Sequence, residues 1–125
     1  MADAKRILIV DDHAAVRRAV SRLIQDVPGF EACGEAENGR MGIEKAKQLK
    51  PDIVVLDLSM PVMNGLEAAR ILRTIMPAMP ILMYTAFTNT TLANEALAAG
   101  VSKVASKTSP PEALIKDLQA LISAA

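Results

Sequence analysis

The sequence is poor in aromatic residues, with no tryptophan, one tyrosine and two phenylalanines among 125 residues. Leu, Ile, Val, Met and Ala must therefore fill the interior. A single cysteine, Cys33, excludes an internal disulfide and a cysteine-built zinc cage, and reads as a small hydrophobe on or near a strand. Neither sign of charge is in excess: fourteen basic and fourteen acidic side chains cancel. That balance removes the drive for non-specific attachment to nucleic acid or to an acidic membrane. Long apolar runs are also missing. Only four strongly apolar residues separate Met-Ala-Asp-Ala-Lys-Arg from Asp11 and Asp12, too few for a signal peptide or a membrane span, so a cytoplasmic location is expected. No repeat, low-complexity tract or linker interrupts the chain. A Gly-x-x-x-x-Gly-Lys-Ser/Thr phosphate loop is absent, which disfavours a nucleoside-triphosphate switch. One domain over residues 1–125, long enough to bury a real core, is the simplest organisation.

What is present is a series of short, largely apolar runs separated by helix-length segments: Ile7 to Val10, Ile53 to Leu56, Ile81 to Met83 and Val101 to Ser106. Runs of this kind suit parallel strands covered on both faces. Phe30 to Ala36 is mixed in polarity, as an edge strand would be. Between the runs the apolar spacing becomes helical. Val16, Ala19, Val20, Leu23 and Val27 mark a first helix, which Pro28-Gly29 ends. A second covers Arg40 to Leu49, and Asn64-Gly-Leu-Glu67 opens a third with Leu66, Ala69, Leu72 and Met76 turned inward. An Ala-rich fourth, less firmly packed, runs from Thr90 to Ala99 and closes at Gly100. The fifth is expected to start with Ser109 as cap, Pro110 in the first helical position and Glu112 completing a capping box. Leu114, Ile115, Leu118, Leu121 and Ile122 form its buried stripe. Five β-α repeats predict a doubly wound α/β domain: a five-stranded parallel sheet in the flavodoxin-like order 2-1-3-4-5, with helices on both faces.

The residues that end these runs are Asp11 and Asp12, Asp57, Thr85 and Lys107. In open sheets of this type the ligand site lies beyond the carboxyl ends of the strands, so these side chains converge. Three carboxylates a few ångströms apart repel, at roughly 4 kcal/mol per pair for 4 Å and an effective dielectric of 20. Raised pKa values or a bound divalent cation relieve that repulsion. Hard oxygen donors with open water positions suit Mg²⁺, which commonly meets a phosphoryl group. Either Asp11 or Asp12 also suits a plain helix cap. A capping role does not account for Asp57, Thr85 and Lys107 at the ends of the other strands.

Asp11-Asp12, the segment Asp57-Leu-Ser-Met-Pro-Val-Met-Asn-Gly65, Thr85-Ala86 and Lys107 together resemble the receiver domain of two-component response regulators, over nearly the whole chain. The resemblance implies a phosphorylation-activated switch in which Asp57 accepts a phosphoryl group from a phosphohistidine on a sensor histidine kinase or phosphotransfer protein. It further implies that Asp12, Asp57 and the Ser59 carbonyl hold Mg²⁺, with Asp11 reaching the ion through water. Thr85 and Lys107 would bind the phosphoryl oxygens, and a downstream effector domain or protein would read the result. By this reading the chain is no enzyme beyond its own phosphoryl transfer and dephosphorylation, binds neither nucleic acid nor membrane directly, and could form a homodimer.

Two positions depart from the family pattern. Receivers usually carry Tyr or Phe three residues before the lysine, where this chain has Val104. Many have proline after the lysine, where this chain has Thr108. Phe87 and Tyr84 are aromatics close by, read as packing residues. Lys-Thr-Ser-Pro and Asp-Asp-His lean toward the NarL/FixJ class, with His13 as a surface residue at a helix start. Val104 keeps one alternative open, a receiver-shaped interaction module that works without phosphate. A flavin carrier is disfavoured because Asp11, Asp12 and His13 replace its phosphate loop. An aspartate-nucleophile phosphatase is disfavoured because its Asp-x-Asp follows the first strand, not the third.

Overall fold

The computed structural model describes residues 3–86 and 89–124. Five strands, β1 (Lys5–Val10), β2 (Phe30–Ala36), β3 (Ile53–Leu56), β4 (Ile81–Thr85) and β5 (Lys103–Ser106), form one parallel sheet in the order β2-β1-β3-β4-β5. Five helices alternate with them: α1 (Ala14–Gln25), α2 (Gly39–Leu49), α3 (Gly65–Ile75), α4 (Thr90–Ala98) and α5 (Pro111–Ala124). The expected doubly wound, flavodoxin-like architecture is the observed one.

The two-residue period of the strands divides the core into two layers. Leu8, Val10, Val54, Leu56, Ile81 and Met83 face α2, α3 and α4, meeting Ile43, Ala46, Ala68, Leu72, Ala96 and Ala99. Ile7, Ile9, Ile53, Val55 and Leu82 face the other way, onto Val20 and Ile24 of α1 and Leu114 and Leu118 of α5. Because both faces are covered, the central strands carry no polar alternation. β2 departs from this period. Ile7 pairs with Ala32 but Leu8 pairs with Gly34, so Cys33 is an extra residue in the ladder. Phe30 and Ala32 therefore face the α1 and α5 layer, whereas Cys33 and Ala36 face the other.

Local signals set most helix ends, with some corrections to the sequence reading. Asn64 caps α3 in a reciprocal capping box with Glu67, and Asn38 and Asn89 cap α2 and α4 through their side-chain oxygens. The box expected at Ser109 and Glu112 is out of register, because α5 begins at Pro111, one residue late; the Pro110 carbonyl accepts from the Ala113 N–H. Ala19 is exposed and Leu23 half-buried, while Ile24 is fully buried. The inward face of α1 is thus rotated toward Ile24. β5 is shorter than expected: Val101 is buried just ahead of it and the strand starts at Lys103.

The connection from β3 to α3 runs against the backbone of Asp57 and Leu58. A Cβ at Gly65 would lie 2.2 Å from the Asp57 carbonyl oxygen, and the Gly65 N–H donates to the Leu58 carbonyl at 2.8 Å. Only glycine lets α3 start this close to the end of β3. Just before it, the Met63 N–H donates to the Pro61 carbonyl at 2.7 Å, closing a three-residue turn around Val62, whose φ is +70°. That is the strained hand of the γ-turn, held here by a β-branched residue that is 74% exposed.

Two substitutions test this account by thermal or denaturant unfolding. Val62→Gly should raise stability by about 1 kcal/mol, since glycine takes positive φ without steric cost. Gly65→Ala should lower it by about 2 kcal/mol or more, because backbone rather than a flexible side chain must move. Unchanged midpoints in both would contradict the described loop.

Candidate functional site

The parallel register brings the carboxyl ends of β1, β3, β4 and β5 to one rim of the sheet. Asp11 directly follows β1 and its N–H donates to the Ala36 carbonyl at 3.0 Å; Asp57 directly follows β3 and its N–H donates to the Val10 carbonyl at 2.9 Å. Thr85 is the last residue of β4, and the Lys107 N–H donates to its carbonyl at 2.9 Å. Backbone ladders thus continue past the strands and fix the four residues against one another.

Their side chains meet as expected from the sequence. Lys107 Nζ lies 2.7 Å from Asp11 Oδ2 and 3.3 Å from Asp57 Oδ1. Asp57 Oδ1 also accepts from the Leu58 N–H at 2.9 Å. Asp11, Asp57 and Thr85 are the buried polar residues of the described chain. Asp12 lies in the same cluster: one donor atom each from Asp11, Asp12, His13 and Asp57 falls within 4.8 Å of the others. Asp57, Ser59, Thr85, Ala86, Lys107 and His13 line a small pocket of about 90 Å³ over this cluster.

The electrostatics follow from that packing. Burial, then repulsion by Asp11, pushes the Asp57 carboxyl up from its ordinary value, against the pull of Lys107 and the Leu58 N–H. Burial works to lower Lys107, but its hydrogen bond to Asp11 and the charges of Asp57 and Asp11 outweigh it and hold the ammonium above the ordinary lysine value. One cation therefore serves two buried carboxylates, and Asp12 is left outside its reach. Asp12 Oδ1 is buried without a hydrogen-bond partner, although His13 Nδ1 stands 3.0 Å away. An anionic cluster with an orphaned buried oxygen fits a hard divalent cation such as Mg²⁺.

Residues 7–119 match the model of the response regulator receiver domain. The chain belongs to the response regulator receiver family. It is 40% identical to the chemotaxis protein CheY of Thermotoga maritima over 114 residues, 91% of this chain and 94% of CheY. It is 36% identical over 111 residues to the transcriptional regulatory protein LnrK of Bacillus subtilis, covering 89% of this chain but only half of LnrK. Among solved structures it is similar to a LuxR-family two-component response regulator from Aurantimonas sp., with a TM-score of 0.94 and 34% identity over 98% of this chain and 87% of the other. As a receiver it is part of two-component signalling. No helix among its described residues is long and apolar enough to cross a membrane.

Several contacts at the receiver's rim were not foreseen. His13, read from the sequence as a plain surface residue, reaches Asp11 Oδ1 at 3.3 Å and Asp12 Oδ1 at 3.0 Å. Arg17 donates to the Asp11 carbonyl at 2.6 Å and to Glu35 at 3.1 Å, tying α1 to β1 and β2. Glu35 lies on β2 and Asp11 at the end of β1, so no spacing within α1 signals the contact. Of the two neighbouring aromatics, Phe87 lies outside the described residues. Tyr84 packs half-buried on the α1 and α5 layer, opposite to Val104, which packs against the α2, α3 and α4 layer. Tyr84 therefore does not stand in for the aromatic that Val104 replaces.

A carboxyl whose folded pKa is raised stabilises the fold while protonated and withdraws that contribution as pH climbs from its unfolded value through its folded one. The metal-free protein should thus lose stability as pH rises out of the ordinary carboxylate range. Asp57→Asn should escape that loss and unfold several degrees higher at neutral pH, the difference closing in acid. Equal midpoints at neutral pH in calorimetry would show that Lys107 already neutralises the site.

Proposed function

We propose that residues 1–125 form a single receiver domain whose Asp57 accepts a phosphoryl group from the phosphohistidine of a sensor histidine kinase or phosphotransfer protein. The observation that carries this is the ion pairing of one lysine, Lys107, with Asp11 and Asp57 at 2.7 and 3.3 Å. A lysine so placed would remain to pair with the phosphoryl oxygens once Asp57 has reacted.

The chemistry is a displacement at phosphorus. A carboxylate oxygen of Asp57 bonds to phosphorus as the phosphorus–nitrogen bond of the phosphohistidine breaks, and the imidazole nitrogen leaves with the electron pair. Because charge spreads over the transferring oxygens, positioning and neutralisation supply most of the acceleration. The Leu58 N–H and Lys107 both engage Oδ1 of Asp57, which orients the carboxylate and leaves Oδ2 as the attacking oxygen. Burial and its neighbour Asp11 raise the pKa of Asp57, which makes it a better nucleophile when ionised. Thr85, buried at the end of β4, supplies a hydroxyl for a second phosphoryl oxygen, and exposed Ala86 leaves the approach open. Asp12, Asp57 and the Ser59 carbonyl would hold Mg²⁺, with Asp11 behind them through water; bound there, the ion neutralises charge on the phosphoryl oxygens.

Phosphorylation adds about −1.5 to −2 charges at Asp57. Thr85 drawn toward that charge shifts the segment after β4 and with it α4. This helix has nine residues, only Leu92 and Ala96 of them buried, with Ala99 buried at its C-cap and Leu97 exposed, so few large side chains anchor it. With Val104 in place of the aromatic, the readout runs through α4 itself to an effector domain or protein, or to a second copy in a homodimer. The chain acts through protein contacts, not by binding nucleic acid or membrane, and catalyses no reaction beyond its own phosphorylation and dephosphorylation. A cytoplasmic setting follows from a kinase partner that uses ATP.

Acetyl phosphate with Mg²⁺ should add one phosphoryl group to the wild type, about 80 Da by intact mass, and none to Asp57→Asn. Lys107→Ala should accept it at least about tenfold more slowly, the loss of one electrostatic partner in the transition state. An unmodified wild type, after removal of Mg²⁺ has been shown to make no difference, would leave the phosphate-independent interaction module as the correct reading.

A further inference from the structure

We infer that His13 is a further ligand of the cation site and biases it toward an imidazole-tolerant divalent ion such as Mn²⁺ over Mg²⁺. This rests on the metal reading above and concerns which ion the site prefers.

His13 is the only histidine in the chain, and 66% of its side chain is exposed. Its Nδ1 is hydrogen-bonded to Asp11 Oδ1 at 3.3 Å, yet it stands closer still to Asp12 Oδ1, at 3.0 Å. Its backbone N–H is already used on Asp11 Oδ1, at 2.9 Å. The approach to Asp12 is within hydrogen-bond distance but not in hydrogen-bond geometry, so Asp12 Oδ1 remains buried and unpartnered. A single proton on Nδ1 points to one acceptor. Two donors that share an octahedral ion at about 2.1 Å stand about 3 Å apart, which is the spacing these two atoms show. His13 also lines the pocket above Asp57, so its ring borders the space where the cation and phosphoryl group would meet.

The donor set then becomes carboxylates plus one imidazole. Mg²⁺ takes oxygen ligands and keeps its waters, and gains little from a ring nitrogen. Mn²⁺ accepts both oxygen and nitrogen and lies at the weak end of the transition-metal order, so one imidazole can tilt the balance without locking the ion in place. Asp11 ties His13 in turn, through its backbone N–H, and Arg17 holds the Asp11 carbonyl. The ring is thereby placed by the same residues that position the aspartates.

The full chain should be titrated with Mn²⁺ and with Mg²⁺ by calorimetry, in the wild type and in His13→Phe. The electron-spin-echo spectrum of bound Mn²⁺ should be recorded on the wild type in parallel. We expect a nitrogen coupling in the wild-type spectrum, and a ratio of Mn²⁺ to Mg²⁺ affinity that falls at least about tenfold in His13→Phe, the usual scale for losing a partner of a metal site. Binding of both ions with no nitrogen coupling, or an affinity ratio that His13→Phe leaves unchanged, would overturn the role of His13 alone. Failure of either ion to bind the wild type would overturn the cation site itself. The spin-echo measurement needs no variant, so misfolding of His13→Phe does not cloud the result.

Discussion

Two buried carboxylates, Asp11 and Asp57, end adjacent strands, and the ammonium of Lys107 lies within ion-pair distance of both. The rest of the rim is organised around this shared charge. Removing either carboxylate would leave the lysine a single partner; removing the lysine would leave two buried anions facing each other, the more costly loss. The cation reaches them because β5 lies two strands away from β3 in the sheet and the Lys107 N–H that follows β5 is tied to the Thr85 carbonyl. Strand order in the parallel sheet is what allows residues 96 positions apart in the chain to form one ion pair.

The charge balance at this rim is incomplete, and that incompleteness is the chemical content of the site. Lys107 covers two acids but not Asp12, whose buried oxygen has no donor. A site that resolved every charge internally would leave no unpaired oxygen for a further ligand. The loop after Asp57 has the same character. Val62 is held at positive φ on an exposed turn, while Gly65 lets the backbone of α3 pass within contact of the Asp57 carbonyl. Left-handed backbone also occurs at the other end of the sheet, where Lys50 closes α2 at φ +48°, but the orphaned buried oxygen of Asp12 and the Val62 turn both lie at this rim.

Much of this was legible in the sequence because its parts obey short-range rules. Ile7 to Val10, Ile53 to Leu56 and Ile81 to Met83 read as buried parallel strands, the first two followed directly by Asp11 and Asp57 and the third by Thr85 after Tyr84. Asn64 and Glu67 carried a capping signal that the structure uses. What escaped notice depended on angle or on packing across the sheet. The inward face of α1 turns on Ile24 rather than Ala19, a rotation that periodicity alone does not settle. Two prolines in a row at 110 and 111 blurred the start of α5. His13 looked like an ordinary helix-start residue because its approach to Asp12 is a matter of rotamer, and Arg17 reaches β2 only after the sheet has formed. β2 looked weak because its inward phase reverses at Cys33, so no single two-residue pattern spans it.

That reversal bears on how the protein behaves at high concentration. β2 is one free margin of the sheet, and a straight, unpaired margin is a template on which another copy can continue the ladder. The extra residue at Cys33 interrupts the spacing of N–H and C=O groups along β2 and increases its twist, so an incoming strand could match only a few residues before losing register. At the far margin, β5 is only four residues long and exposes Lys103. Both margins thus resist edge-to-edge polymerisation and favour a sheet confined to one molecule.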